Sequence, residues 1–321
     1  MKKTDVARKY RLENMSMSNL KLARIMYNEN PLLFTNVEHA RSVIRQIEGK
    51  GNKSVKVIPE LQNIPDRPRN PYKLPESDEK EYLPFIMKEK KTAVFSDIHA
   101  PYHSVSALTC AIDYAIQQNC DSVLVNGDLF DFHGISKFMR DPKKKPFAEE
   151  IEIGCQILKA LQSIGKVYFK LGNHDERYEH FLWMKAKEII GLEEFELHNI
   201  VAKRVSDVKV IGGKQIIKMG GLNVVHGHEF GSSVFSPVNT ARGFYLRAKA
   251  HTLGGHHHQT SEHSENNIEG KVVVTYSTGC LCELHPEYLP INKWGHGFAI
   301  VEYDKKEFHV SNRKIVKGRV W

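Results

Sequence analysis

Apolar and polar positions follow three different patterns along this chain. From about residue 91, short apolar runs interleave with longer stretches of helical period. "KTAVFSD" reads as a buried strand and "SVSALTCAIDYAIQQN" as a helix. "DSVLVNGD" is a second buried strand, "FAEEIEIGCQILKALQSIG" a helix and "KVYFKLGN" a third strand. "ERYEHFLWMKAKEII" is again helical. Apolar runs bounded by turn residues fit strands buried on both faces, and their alternation with helices predicts βαβ units with parallel strands. Beyond residue 205 the runs shorten. "KQIIKMGGLNVVHGH" predicts a hairpin leading into a buried strand, and "SPVNTARGFYLRAKA" a helix with Pro237 in its first turn. "KVVVTYSTG", "GFAIVEYD" and "EFHVSNRKIV" predict further strands.

The first fifty residues carry a different pattern, that of three short helices. Val6, Ala7 and Tyr10 mark the first. Ser18 is an N-cap for the second, whose inward face is Leu22, Ile25 and Met26 and which Pro31 ends. Thr35 and Glu38 suggest a capping box for the third. Val37, Ala40, Ile44 and Ile47 form its apolar stripe, and Gly49 stops it. Arg41 and Arg45 share its outer face. The third pattern is broken: six of the 13 prolines fall between 59 and 84, which excludes a long helix or a central strand there. The expected organisation is a basic helical, helix-turn-helix-like module at 1–56, a proline-rich linker at 57–90 and an α/β body at 91–321.

Charge sharpens this division. The formal net charge is +8. Residues 1–56 hold 12 Lys/Arg against 5 Asp/Glu, whereas 92–321 hold 27 against 26. A basic module is thus joined to a nearly neutral body. Its outer face, with Arg41 and Arg45, fits DNA or RNA phosphates, or equally a solvated docking or oligomerisation helix. Lys143–Lys145 is a further short basic run. The five cysteines are odd in number and form no C-x-x-C, which fits free thiols in a reducing compartment. No apolar run approaches the ~20 residues of a membrane span, and "MKKTDVARKYRLEN" is not a signal peptide. The expectation is a bacterial cytoplasm, or that of a virus-infected bacterial cell, with no membrane partner and an open oligomeric state.

Candidate chemistry sits where the predicted strands end. The first strand delivers Asp97 and His99, the second Asp128 and Asp131, the third Asn173 and His174. "VVHGH" delivers His226 and His228, and "GGHHH" follows with His256, His257 and His258. In an open α/β sheet, groups at the carboxyl ends of strands converge on one edge. A convergent set of carboxylate, amide and imidazole donors without thiolate suits two cations of the Mn, Fe, Zn or Ni class, with manganese first. In an extended segment His256 and His258 face one way and His257 the other.

The ordered series D-x-H, G-D-x-x-D, G-N-H-D, H-G and G-H-x-H resembles the calcineurin-like metallophosphoesterase superfamily, from residue 92 to about 260. The resemblance implies two mixed β-sheets in a sandwich flanked by helices. It places Asp97, His99 and His258 on a first metal, Asn173, His226 and His256 on a second, and Asp128 between them. His174 would protonate or stabilise the leaving group, oriented by Asp131, and a metal-bridging hydroxide would attack phosphorus. General acid help of this kind is worth ~10²–10⁴-fold. Arg177, His228 and His133 are candidates for substrate contact; the plainer readings are a solvated helix start for Arg177, a supporting residue for His228 and a polar loop residue for His133. Arg242 is a second candidate for phosphate. His103, His285, Trp294 and His296 are further candidates for the pocket wall, and Cys280 and Cys282 alone do not argue for zinc. In the Ser/Thr protein phosphatases an Arg follows G-D-x-x-D; here Phe132 stands there. This weakens the phosphoprotein reading, and the basic module motivates phosphodiester or phosphomonoester hydrolysis with nucleic acid as the favoured substrate; the alternative is a protein or small-molecule phosphatase whose module docks a partner. An inactive DNA-binding protein is the remaining alternative.

Overall fold

The computed structural model describes residues 2–15, 17–50, 57, 59–61, 72, 74–75, 81–136, 146–231, 239–286, 289–305 and 307–321. Most of the proline-rich stretch, Lys143–Lys145 and Pro237 lie outside these. The chain divides into two compact units, Met1–Glu81 and Tyr82–Trp321.

In the first unit, α1 (Lys3–Glu13), α2 (Asn19–Glu29) and α3 (Val37–Ile47) pack by the apolar stripes expected of them, except that Ala23, not Ile25, is buried with Leu22 and Met26 on α2. Val6, Ala7, Leu22, Met26, Ala40, Ile44 and Ile47 form one core, which Leu61 joins from the start of the proline-rich stretch. Ser18 Oγ accepts from Lys21 N at 3.2 Å, capping α2. The cap of α3 differs from the expected box. Asn36 Oδ1 accepts from His39 N at 2.8 Å, and Thr35 N donates instead to His39 Nδ1 at 3.1 Å. Asn outranks Thr as an N-cap, so the helix starts one residue later. Glu38 is then free to pair with Arg41 at 3.3 Å and Arg45 at 3.5 Å. The connection from α2 to α3 spans 30–36, longer than the three or four residues of a helix-turn-helix.

Arg11, one of the basic residues of this unit, is not on its surface. It is fully buried, its Nε 2.9 Å from Glu48 Oε1 and its Nη1 donating to Asn14 O at 3.0 Å and Met17 O at 2.8 Å. Glu48 also accepts from Asn19 Nδ2 at 2.9 Å. This network joins α1, the start of α2 and the end of α3. Glu48→Gln removes the charge that neutralises a buried guanidinium, so we expect a loss of about 1–3 kcal/mol from this unit, read by chemical denaturation.

The second unit comprises β1 (Phe85–Ile86), β2 (Lys91–Phe95), α4 (Val105–Gln117), β3 (Ser122–Asn126), α5 (Phe147–Leu161), β4 (Lys166–Lys170), α6 (Arg177–Lys185) and α7 (Leu197–Ala202). It continues with β5 (Val208–Ile211), β6 (Ile217–Met219), β7 (Leu222–Val224), α8 (Thr240–Ala248) and β8 (Thr252–Gly254). β9 (Ser261–Asn266), β10 (Val272–Ser277), β11 (Gly297–Asp304), β12 (Glu307–Val316) and β13 (Arg319–Val320) complete it. Two mixed sheets form, with orders β13-β12-β11-β2-β3-β4-β5 and β1-β6-β7-β8-β10-β9. The βαβ expectation holds for β2, β3, β4 and β5, which pair in parallel. β6 and β7 form the expected hairpin. Phe85–Ile86, inside the stretch read as linker, is a strand parallel to β6. Two residues are too few to carry a period-2 signal.

Alternation within the central strands builds two cores. Ala93 and Phe95, Val123 and Val125, and Val167 and Phe169 point to α4 and α5. Val94, Leu124 and Tyr168 point the other way, against Ile217, Leu222, Val224 and Leu253 of the second sheet. Because β2, β3 and β4 are covered on both faces, their sequences are continuously apolar. The architecture is a sandwich of two mixed sheets flanked by helices, and the ends of β2, β3, β4, β7 and β8 carry the candidate site.

Candidate metal centre

The loops leaving these strands have an unusual backbone. Asp97, His99, Asp128, His256 and His258 all have positive φ, between 51° and 68°. A non-glycine residue rarely adopts this region, and such residues gather at functional sites. The expected extended alternation at 256–258 is therefore wrong in its reason: β8 ends at Gly254, and the turn that follows is made by left-handed residues. The outcome it predicted stands in part. His256 and His258 face the cluster, while the His257 ring lies 5.8 Å from that of Phe244. We expect His257→Ala to retain the metal content of the unsubstituted chain, measured by elemental analysis, and most of its turnover.

Glycines let the loops close. Gly127 has φ 88°, and a Cβ there would lie 2.2 Å from His226 Nδ1. A Cβ on Gly255 would lie 2.8 Å from Asp97 Oδ2.

The side chains converge as follows. Asp97 Oδ1 faces His258 Nε2 at 3.3 Å, His226 Nε2 at 3.9 Å and His99 Nε2 at 4.0 Å. Asp128 Oδ2 lies 3.2 Å from His226 Nε2 and 3.8 Å from His99 Nε2. Asn173 Oδ1 is 3.2 Å from His226 Nε2. Donor atoms of Asp128, His226 and His256 lie within 4.8 Å of one another. Second nitrogens are held from behind: His226 Nδ1 is 2.8 Å from Asn126 O, and His99 Nδ1 is 3.0 Å from Asp131 Oδ1. Each contact is made by an N–H, which leaves Nε2 as the inward donor.

Burial opposes charge on His226, yet the carboxylates of Asp128 and Asp97 push its pKa up to about 10. Burial likewise opposes charge on His258, and Asp97 pushes it up to about 10. His256 is pushed down to about 3 by burial and by the charge on His226. The carboxylates thus demand positive charge in the pocket. Asp97 Oδ1 and His99 Nε2 are buried with no hydrogen-bond partner. Two orphaned donors among buried carboxylates and imidazoles fit a cation.

Beside the cluster, His174 Nδ1 is 3.1 Å from Asp131 Oδ1, so one carboxylate holds both His99 and His174. Arg177 at the start of α6 donates Nη1 to Asp131 O at 2.7 Å, and its Nη2 lies 2.9 Å from His174 Nε2. Phe132, where phosphatases have Arg, is fully buried and stacks on Phe130 at 4.8 Å. His228 is at the edge, 3.5 Å from Glu176 Oε2, its ring 5.3 Å from that of His226. His133 sits on a 3-10 turn, and no hydrogen bond, ion pair or ring contact ties it to the other candidates among the described residues. Arg242 is exposed on α8. The Trp294 ring lies 4.1 Å from that of His258.

Three residues to which the motif reading assigned no role support the site, although Asp175 closes the G-N-H-D block. Asp175 accepts from Asp128 N at 2.8 Å, Phe130 N at 3.0 Å and Gly172 N at 2.8 Å, tying the loops after β3 and β4 together. Glu229 accepts from His226 N at 2.9 Å and Gly227 N at 2.6 Å. Lys170, fully buried at the end of β4, pairs with Glu229 at 2.9 Å and donates to Gly213 O. The Asp closing G-N-H-D and a lysine closing an apolar strand were the available signals.

Residues 90–276, more than half of the chain, match the calcineurin-like phosphoesterase family. The chain belongs to this family of metal-dependent phosphoesterases, hydrolases of phosphoester bonds. It is 26% identical over 253 residues to the Gene 54 protein of Mycobacterium phage L5, covering 72% of this chain and 98% of that one. Among solved structures it is similar to wild-type Vps29 of Entamoeba histolytica complexed with zinc, at 15% identity over 72% of this chain and 96% of that one, with TM-score 0.38. It is also similar to Yfce, a phosphoesterase from E. coli, at 12% identity over 69% and 98% of the two chains, with TM-score 0.35. No helix among the described residues is long and apolar enough to cross a membrane.

Proposed function

We propose that Asp97, His99 and His258 hold one divalent cation, that Asn173, His226 and His256 hold a second, and that Asp128 serves both. The observation that carries this is the pair of orphaned buried atoms, Asp97 Oδ1 and His99 Nε2, inside a ring of imidazoles. Manganese-class ions, when bound, supply Lewis acidity and an activated water for hydrolysis at phosphorus.

The chain's own groups do the rest. Asp131 holds the Nδ1 proton of His174 and fixes its ring. Arg177 caps His174 Nε2 and offers a guanidinium for a phosphate oxygen beside it. An arriving phosphoester competes for Arg177; Nε2, freed of it, takes a proton from solvent while Asp131 keeps the Nδ1 proton, and can then pass the Nε2 proton to the leaving oxygen. Arg177 thus replaces the cation that Phe132 does not provide. His228 borders the same side.

For substrate we favour the phosphodiester of nucleic acid. Residues 1–56 carry nearly all the excess positive charge, 12 Lys/Arg against 5 Asp/Glu, and Arg41 and Arg45 lie on the outer face of α3. The phage relative suits a bacterial cytoplasm. The test uses the full chain with Mn²⁺ against bis-p-nitrophenyl phosphate, p-nitrophenyl phosphate, single- and double-stranded DNA, and a phosphopeptide, at two salt concentrations. Hydrolysis of DNA that weakens with salt, and weakens further in Arg41→Ala/Arg45→Ala, supports the reading. Hydrolysis of the phosphopeptide alone would transfer the first unit to a protein-docking role.

A further inference from the structure

We propose that the thiol of Cys282 is a sulfur donor to the cation held by Asp97, His99 and His258, so that the two cation positions differ in chemistry. The proposal rests on the dinuclear reading above. Donor atoms of His99, His258 and Cys282 lie within 4.8 Å of one another, and all three residues are buried. Cys282 Sγ is 3.9 Å from His258 Nδ1. His99 Nδ1 is held by Asp131 at 3.0 Å, and its Nε2, buried without a hydrogen-bond partner, is the nitrogen left for a cation.

The backbone brings the sulfur there by design of the fold. Leu281 N donates to Asp97 O at 3.1 Å, and Ser104 N donates to Leu281 O at 2.8 Å. The 280–282 segment is therefore stitched to the loop that carries Asp97 and His99. Cys282 O accepts from His296 Nε2 at 2.8 Å, which fixes it from the other side. The sequence hides this, because Cys282 lies 24 residues beyond His258.

The second position has Asn173, His226, His256 and Asp128, and no sulfur. Imidazole and carboxylate alone suit manganese-class ions; a thiolate draws zinc and other thiophilic ions. Binding displaces the thiol proton to solvent. The first position is therefore a zinc-class site and the second a manganese-class site. The competing arrangement is that His258 binds through Nε2, which faces Asp97 Oδ1 at 3.3 Å, while Cys282 only accepts from its Nδ1–H.

Spectroscopy separates the two. The full chain is loaded with Co²⁺, and the near-ultraviolet sulfur-to-cobalt charge-transfer band is recorded. The band should appear with one equivalent, vanish in Cys282→Ser and persist in Cys280→Ser. In zinc–manganese competition, zinc retention by Cys282→Ser should fall more than about tenfold, since loss of a ligand costs at least as much as loss of an outer partner. Manganese content should not change. X-ray absorption of the zinc-loaded, unsubstituted chain gives the same answer without a variant: a Zn–S distance near 2.3 Å supports the proposal. Two bound cations with only nitrogen and oxygen neighbours, or a band unaltered in Cys282→Ser, would overturn it and leave the dinuclear reading intact. Failure of the chain to bind two cations overturns both.

Discussion

Asp128→Asn should leave a folded chain with at most one tightly bound cation and turnover reduced by roughly 10³-fold or more. Asp128 Oδ2 lies beside His99 Nε2 and His226 Nε2, one imidazole from each proposed cation position. Asp97 Oδ1 also faces both sets, but its contact with the second, 3.9 Å to His226 Nε2, is longer than the 3.2 Å made by Asp128. Its Oδ1 accepts the His174 amide at 2.8 Å, a contact that an asparagine oxygen keeps. The substitution therefore removes charge with little change of shape. Two-metal clamping contributes several kcal/mol to phosphoryl transfer, and each 1.4 kcal/mol is about tenfold in rate. Elemental analysis and turnover of bis-p-nitrophenyl phosphate are the two readouts. Two retained equivalents with rates within tenfold of the unsubstituted chain would remove Asp128 from the shared position.

The second large effect is on stability. Lys170→Met strands the Glu229 carboxylate in a nearly closed environment. Breaking a buried pair from one side costs about 3–5 kcal/mol, which for a unit of this size lowers the melting temperature on the order of 10 °C. Burial works against the charge on Glu229, but Lys170 overrides it and holds the carboxyl down at about 2. The double variant Lys170→Met/Glu229→Met should recover much of the stability, because two matched apolar groups replace the pair. It should not recover cation binding. His226 N and Gly227 N lose their acceptor, and the loop that aims His226 loses its fix. A double variant with full cation affinity would show that the pair only stabilises.

How much of this was legible depended on the range of the contacts. β2, β3 and β4 declared themselves because both their faces are covered, and the hairpin because Gly220 and Gly221 interrupt two apolar runs. β9 reads SEHSEN, a polar strand at a sheet edge, and has no apolar period to detect. β8 is three residues long and merges into the glycines before His256. The seven proposed ligands were readable because each sits a few residues beyond a strand. The roles of Asp175, Glu229 and Lys170 were not, because each depends on a contact distant in sequence: Asp175 with Asp128 N and Phe130 N, and Lys170 with Glu229. Arg11 misled for the same reason: a charge count places it outside, whereas Glu48, in the turn after α3, takes it inside.

The left-handed turns at Asp97, His99, Asp128, His256 and His258 also limit how this site can change over generations. Asp, Asn and His are the side-chain-bearing residues that best tolerate such a backbone, and they are also short metal donors. Conformation and chemistry select the same three letters. A drift to Glu or Gln, which lengthens the donor, would meet the strain of the turn as well as a misplaced oxygen. Exchange among Asp, Asn and His is the one path that keeps the backbone, so ligand variation in distant homologues should be confined to it.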